Sequence, residues 1–566
     1  RLVETNSYSY PLAETDETTR GPTDGDVLRV DPAALTKTTT TTTTTAAAAA
    51  RDRVASRRVA ASRRPRSLSS HGRSTTPARA TTTLARATAA EYDALWSWLQ
   101  SNGADVSKVE PYEASASGED EDAMDMGWGV RAREALSSGA RAIVVPRKLW
   151  MTPETGKSDA ELGRALTDEA FGLATWTTLA LTLLKERERG PRSTFAAYVE
   201  TLPETLHAPL FWSAEELGEI QGTQLLDNAA GYDGYLRGVY EELRDGLFAK
   251  YPDIFDVDGA FDESSFRWAF GILRSRTMAP LEGANIALVP GIDLINHSSL
   301  SESVWKVGDG GVAGAVAGFF GNAGGADSVS ARVDCDRALK EKEPLWVNYI
   351  PGGIDSSFAL DFGFVDAATP SPGYSLALSV PEDDVNYYDK LDVLDVCGLG
   401  ENPTFTLRAY KNPSPELRTF LRLLNCQGQD AFLLEALFRQ DCWNLISDPL
   451  SRENEAACCE SIVLGVSDAL SRFATRTTDD ERTYLTTPHA QRVADAPSKS
   501  TAIRREIATR VRLAEKSTLT DVGGFFDSLA ASLDELEYYQ ERRLRSLNLL
   551  DDDGKSTYDP FDETMA

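Results

Sequence analysis

Apolar and polar positions divide this chain into stretches of different period. Residues 91–103, EYDALWSWLQSNG, place apolar side chains at helical spacing, which predicts a short amphipathic helix with Leu95, Trp98 and Leu99 inward and Gly103 as its stop. An acidic loop, GEDEDAMDM, then leads into GWGVRAREAL and an apolar strand, AIVVP. Residues 158–275 read as mainly helical, most clearly in ATWTTLALTLLKERE, whose charges gather at its C-terminal end. The segment 284–365 is strand-rich and is broken by a glycine-rich loop at 307–325. Within it, the apolar strand IALVPGIDLI runs into Asn296-His297, and the later strand LWVNYI ends near Tyr349. After one further strand, GYSLALSV, helical spacing returns in LRTFLRLLN, DAFLLEALFRQDCW, AACCESIVLGVSDALSRF and TAIRREIATRVRLAEK. No short-period repeat is present. The pattern predicts an α+β chain, with a small β-rich domain interrupted by helices and then a helical domain.

Composition changes the picture most at the N-terminus. Residues 1–90 have no hydrophobic period and hold 14 Lys and Arg against 8 Asp and Glu, a net of +6. The formal charge of the whole chain is −29, so the other 476 residues carry −35. From Ala33 to Ala90 there is one acid, Asp52, among many Arg, Ser, Thr and Ala. That bias matches a plastid or mitochondrial transit peptide, with a disordered tail as the alternative. A chain of 566 residues exceeds one core, so two to four domains are expected. The acidic body argues against non-specific binding of nucleic acid through phosphates and suits a basic protein partner.

The six cysteines form no CxxC pair, so neither structural zinc nor any other metal centre is expected. They read as reduced thiols. No apolar run approaches ~20 residues, so no membrane span is expected.

Several short motifs carry candidate chemistry. Gly127-Trp128-Gly129-Val130-Arg131-Ala132 fits G-x-G-x-x-A, but a dinucleotide loop needs a strand before it and a long helix after it. Here an acidic loop precedes and a strand follows, so a glycine turn between strands is the better reading, one that lets backbone approach a ligand closely. The loop at 307–325 lacks GK[ST], so it is not a phosphate cradle. A lone His such as His297 in an apolar segment is more often a hydrogen-bonded core residue than a ligand. Asp293 could cap a turn, and Tyr349, Phe358, Phe362 and Phe364 could be packed aromatics. With four histidines and no G-x-S-x-G, neither a His-rich metal site nor a hydrolase triad is supported.

Taken together, the segments VPRKLWMTPET, RWAFGILRSR, LVPGIDLINH, LWVNYI and ALDFGFV resemble the SET-domain protein methyltransferases. The branch they are most similar to contains the plant Rubisco large-subunit lysine methyltransferases. DAFLLEALF, PLSRENEAACCE, RLAEKSTL and EYYQERRLRSL resemble the helical substrate-binding domain of that branch. The resemblance runs from about Glu91 to the C-terminus. It implies a leader at 1–90, a SET domain in two parts at 91–157 and 276–370, a helical insertion at 158–275, and an all-α substrate-binding domain at 371–566. It also implies S-adenosylmethionine as cofactor, cradled by the backbone around Met126, Gly127 and Trp128, with Asn296 and His297 holding its amino-acid end. Arg276 would shape the shared site, Asp293 the substrate side, and Tyr349 would be the catalytic tyrosine. Phe362 stands where the branch usually has a tyrosine, which touches the active site. IPGGIDSS after Tyr349 and Lys342-Glu343-Pro344 before the strand also depart from the pattern and read as loop variation.

What the resemblance implies chemically needs no metal, because a methyl sulfonium is already activated. The expected reaction is protein-lysine N-methylation by a monomer in the chloroplast stroma, with the mitochondrion or cytoplasm as the alternative location and the Rubisco large subunit or fructose-bisphosphate aldolase as candidate protein substrates. Two alternatives stay open: protein-histidine methylation, which needs less deprotonation, and an inactive SET scaffold that binds partners through its C-terminal helices.

Overall fold

The computed structural model describes residues 87–114, 127–277, 286–309, 329–366, 368–398, 400–440, 443–487, 491 and 495–551. The transit-peptide reading of the leader, most of the glycine-rich loop and the Met126 assignment lie outside the described residues.

The first helix, α1 (Ala89–Ser101), begins two residues ahead of Glu91. Thr88 caps it, with the Thr88 hydroxyl donating to the Glu91 carboxylate at 3.0 Å. Its buried stripe is Tyr92, Leu95, Trp96 and Leu99. The expected stripe is therefore corrected: Trp96 is the inward tryptophan. Trp98 lies at the flank, half-buried against the Phe195 ring at 6.1 Å. Gly103, at φ +92°, turns the chain away.

The β-structure is a set of small sheets. Strand β1 (Val109–Glu113) runs antiparallel to β2 (Trp128–Ala132), with Tyr112 opposite Gly129. Strand β3 (Arg141–Pro146) pairs with β6 (Val329–Asp334), which pairs with β5 (Val304–Asp309). Two residues, β4 (Asn296–His297), lie parallel to β7 (Trp346–Val347). Strand β8 (Gly373–Ala377) pairs with β9 (Thr404–Arg408), which the sequence pattern did not single out.

The expected apolar strand before Asn296 is largely turn, with one bridge from Leu288 to Met151. Pro290 has no N–H to offer a ladder, and Gly291 sits at φ +85°. The apolar run has another cause: Ile286, Leu288, Val289, Ile292 and Ile295 are almost fully buried. The run is a core plug, and period alone could not distinguish it from a strand.

Helices α2 (Thr175–Arg189), α3 (Gln224–Leu243) and α4 (Glu263–Arg276) join α1 and the early strands in one continuous core that includes Leu183, Leu236, Phe266, Ile295 and Val347. Helix α5 (Asp355–Phe362) ends at Gly363, φ +71°. A smaller cluster joins Trp212 and Leu225 to Val365 and to Ile507 and Val511 of the 33-residue helix α8 (Lys499–Ala531). Before α8 come α6 (Pro415–Leu424) and α7 (Arg452–Ser471), and α7 packs on α8 through Cys458, Ile462, Val522 and Phe526.

Polar contacts tie the C-terminal helices to the insertion. The Glu515 carboxyl, fully buried on α8, accepts the Gln224 N–H at 3.0 Å and so caps α3. The Gln224 side-chain amide bonds both backbone groups of Ser375 on β8.

Three buried ionic groups sit inside the C-terminal region: Lys390 with Asp384, Arg422 with Glu455, and Asp480 with Arg512 and Lys516. Such pairs cost desolvation, and removing one partner leaves an uncompensated charge. Replacing Arg422 with Met should therefore lower stability by about 3–5 kcal/mol. The double variant Arg422→Met/Glu455→Leu should recover most of that loss. Urea midpoints of the two proteins, followed by circular dichroism, give the comparison.

Candidate active site

Four elements meet at the two-residue parallel ladder. Strand β2 brings Trp128, whose carbonyl accepts the Asn296 side-chain N–H at 3.4 Å. Tyr92 of α1 stacks on the Trp128 indole at 4.3 Å and donates its hydroxyl to the Thr201 carbonyl at 3.2 Å. The absence of a side chain at Gly129 is required here. A Cβ there would stand 2.5 Å from the Asn296 amide nitrogen and 3.2 Å from the Tyr112 ring. Gly127, at φ +70°, donates no strain of its own and offers its carbonyl to Ala114 N–H at 2.7 Å.

Strand β7 delivers Tyr349 two residues beyond Val347. Its backbone N–H donates to His297 Nδ1 at 3.1 Å, and its hydroxyl donates to the Ile295 carbonyl at 2.8 Å. Tyr349 is thus held at both ends by the chain around Asn296. Its ring stands 4.7 Å from Phe362 and 5.2 Å from His297, and Phe358 and Phe364 close an aromatic wall around them. Burial pushes the Tyr349 hydroxyl well above its usual range, so it stays neutral.

Helix α4 ends on Arg276, which donates to both the backbone carbonyl and the carboxylate of Asp293, at 3.2 and 3.1 Å. The Asp293 carboxylate also accepts the Tyr198 hydroxyl at 2.7 Å and the Gly291 N–H at 3.1 Å. Burial works against the Arg276 charge, but Asp293 with Tyr198 and Tyr92 more than offsets it and holds the guanidinium protonated. Burial pushes the Asp293 carboxyl up, while Arg276 and the other donors pull the opposite way. Both charges act on the Tyr349 hydroxyl. Two residues earlier, Arg274 pairs with Asp361 of α5 and lies 4.5 Å over the Tyr232 ring, which fixes α5 and hence Phe362.

The sequence candidates Gly127, Trp128, Arg276, Asp293, Asn296, His297, Tyr349 and Phe362 therefore converge. Trp128 to Ala132 runs as strand, which is not the geometry of a dinucleotide loop. Tyr92, Tyr198, Ser299 and Asp366 enter the site without a sequence signal of their own. Among the described residues no group of His, Cys, Asp or Glu is arranged to hold a metal, and no helix is long and apolar enough to cross a membrane.

Comparison with known proteins then decides the class. A family model described as Rubisco LSMT substrate-binding matches residues 381–519. The chain is 32% identical over 459 residues to the chloroplastic ribulose-1,5-bisphosphate carboxylase/oxygenase large-subunit N-methyltransferase of Nicotiana tabacum, covering 81% of this chain and 86% of that protein. It is 30% identical to the chloroplastic fructose-bisphosphate aldolase-lysine N-methyltransferase of Arabidopsis thaliana, covering 81% and 88%. The chain belongs to the Rubisco methyltransferase-like family of SET-domain protein-lysine N-methyltransferases. The crystal structure of the SET domain of LSMT bound to lysine and AdoHcy superposes with a TM-score of 0.66 at 28% identity, over 82% of this chain and 97% of that one. This methyltransferase uses S-adenosylmethionine and acts on protein lysine. The histidine and non-enzymatic alternatives give way to that class.

The residues present fit such a cofactor. Gly129 lets the β2 backbone come up against Asn296, and the buried Asn348 Oδ1, next to Tyr349 in the chain, has no hydrogen-bond partner of its own.

His297 yields a pH-dependent expectation. Burial lowers its pKa from 6.5 to about 4, against the pull of Asp366. Its contribution to stability is complete above about 6.5 and drains away as the pH falls through about 4, because the unfolded chain takes up the proton first. The gap in thermal midpoint between wild type and His297→Gln should therefore shrink from pH 7 to pH 4.5, as scanning calorimetry can measure.

Proposed function

We propose that this methyltransferase modifies a lysine on an abundant protein of the chloroplast stroma, with the Rubisco large subunit and fructose-bisphosphate aldolase as the leading substrates. The support is the pair of relatives named for those substrates, both chloroplastic. The observation that carries the site assignment is the double tether of Tyr349, at His297 and at Ile295, directly beside the contact between Asn296 and Trp128.

In this reading the backbone at Gly127 and Trp128, with Asn296, His297 and Arg276, holds S-adenosylmethionine. The bound cofactor supplies a methyl already activated by its sulfonium. Asp293 and Phe362 shape the lysine side. Because the Tyr349 O–H is spent on the Ile295 carbonyl, its oxygen lone pairs are left to accept weak C–H···O contacts from a methyl in flight. Lysine must arrive neutral, although its reference pKa of about 10.4 leaves roughly one molecule in a few thousand neutral at pH 7. The aromatic wall of Tyr349, Phe358, Phe362 and Phe364 excludes water and disfavours the ammonium. No side chain of the site is assigned as a dedicated base. Alignment within this enclosure supplies several kcal/mol of the barrier.

Phe362 sets the product. A tyrosine there would present a hydroxyl to the amine and restrict its rotation and bulk, and phenylalanine does not. The enzyme should carry lysine to the trimethyl form, and Phe362→Tyr should stall at lower states. Mass spectra of substrate peptides under excess enzyme and cofactor read this directly, and a wild type that stops at monomethyl-lysine refutes it.

Tyr349→Phe should cut kcat by about 10²-fold, the scale of one preorganised polar group lost from a site. Cofactor affinity by calorimetry should move far less. Transfer of labelled methyl groups to a plastid extract, compared for both proteins, tests the assignment, and equal transfer would refute it.

A further inference from the structure

His297 touches Tyr349 on one side and faces a second pair of residues on the other. Its Nδ1 receives the Tyr349 backbone N–H at 3.1 Å, so that nitrogen carries no proton. Burial keeps the ring neutral, so the single ring proton sits on Nε2. Nε2 lies 3.0 Å from Ser299 Oγ, and with the proton on nitrogen the serine oxygen is the acceptor there. The Ser299 hydroxyl hydrogen is then free to point at Asp366 Oδ2, 3.3 Å away. Asp366 is itself anchored: its Oδ1 accepts the N–H groups of Ala368 and Thr369 at 3.0 and 3.1 Å, and its Oδ2 the Thr369 hydroxyl. Its side chain is 14% exposed, and those donors hold it ionised against its burial. His297 Nε2 stands 4.0 Å from Asp366 Oδ2, beyond direct hydrogen bonding, so the serine is the necessary link.

We propose that Ser299 and Asp366 are positioning residues for methyl transfer: a directed chain from Tyr349 N–H through His297 and Ser299 to Asp366 fixes the imidazole tautomer and, through it, the register of the catalytic tyrosine. The proposal rests on the assignment of Tyr349 given above. The Tyr349 N–H, the Nε2 hydrogen and the Ser299 hydroxyl each have an acceptor along the chain, and the Val347 backbone is a further hydrogen-bonding neighbour of the imidazole. A flipped tautomer places an Nδ1 hydrogen against the Tyr349 N–H and pushes the strand end away. Displacements of about 1 Å at a reacting centre can cost 10²-fold in rate. Ser299 and Asp366 reach the proposed cofactor residues only through the His297 ring and touch neither the Asn296–Trp128 contact nor Arg276 and Asp293, so their loss should cost cofactor affinity less than rate.

Nitrogen-15 spectra of the imidazoles report the tautomer without any turnover, and with four histidines in the chain His297 is assignable by comparison with His297→Gln. The wild type should show Nε2 protonated and Nδ1 bare. Ser299→Ala and Asp366→Asn should blur that preference and lower kcat about tenfold or more, with cofactor Kd changed less than about threefold. Ser299→Thr keeps the hydroxyl and should restore most of the rate lost in Ser299→Ala. A wild-type ring protonated on Nδ1 overturns the proposal. So does a full rate in Ser299→Ala alongside a crippled Tyr349→Phe. If Tyr349→Phe is itself fully active, the role of the tyrosine fails, and the spectra still decide the tautomer. Should Asp366→Asn not fold, the Ser299 pair of variants carries the test.

Discussion

Two residues of parallel pairing between Asn296–His297 and Trp346–Val347 hold the site together. Beside it, the Ser301 hydroxyl donates to the Trp346 carbonyl at 2.9 Å and so also ties the segment after the core plug to the strand that ends at Tyr349. So short a ladder contributes few hydrogen bonds and could not persist alone. It persists because each end is backed by something stronger. Ile292 and Ile295 are buried in the main core before it, Val347 is buried within it, and Tyr349 closes it with two hydrogen bonds of its own. The described residues hold three other small sheets besides this one.

The charges of the site follow the same logic. Arg276 and Asp293 are held in a nearly dry setting where either alone would be costly. Tyr198 and the Gly291 backbone share the Asp293 carboxylate, so the pair is supported on several sides. Its net charge is near zero, but its dipole has a fixed direction next to Tyr349. A polar site can therefore stay both dry and rigid, which an alignment-driven reaction needs.

Much of this was legible in the sequence because helices and cores are written in local period. Helices α2 and α4 and the C-terminal helices announce themselves by apolar spacing, and Asn296, His297 and Tyr349 by the segments around them. Other features were not legible for physical reasons. The run before Asn296 looks like a strand because complete burial, not pairing, selects its apolar residues. Strand β9 is five residues with few apolar positions, and its pairing with β8 depends on a partner thirty residues away. Tyr198 sits in a short helical turn 95 positions from Asp293, and Asp366 lies 67 from Ser299. No local period records such a meeting. Trp96 and Trp98 both fit the helical stripe, and only the position of Phe195 separates them.

The contacts from Gln224 to Ser375 and from Glu515 to the first turn of α3 have an evolutionary consequence. They lie in three distant stretches of the gene, yet each completes another's hydrogen bonds. A recombinant that inherited the C-terminal helices from a relative lacking this carboxyl would leave the Gln224 N–H without its partner inside the protein. Change in those helices is thereby steered toward residue-by-residue drift on their outer faces, and away from wholesale exchange.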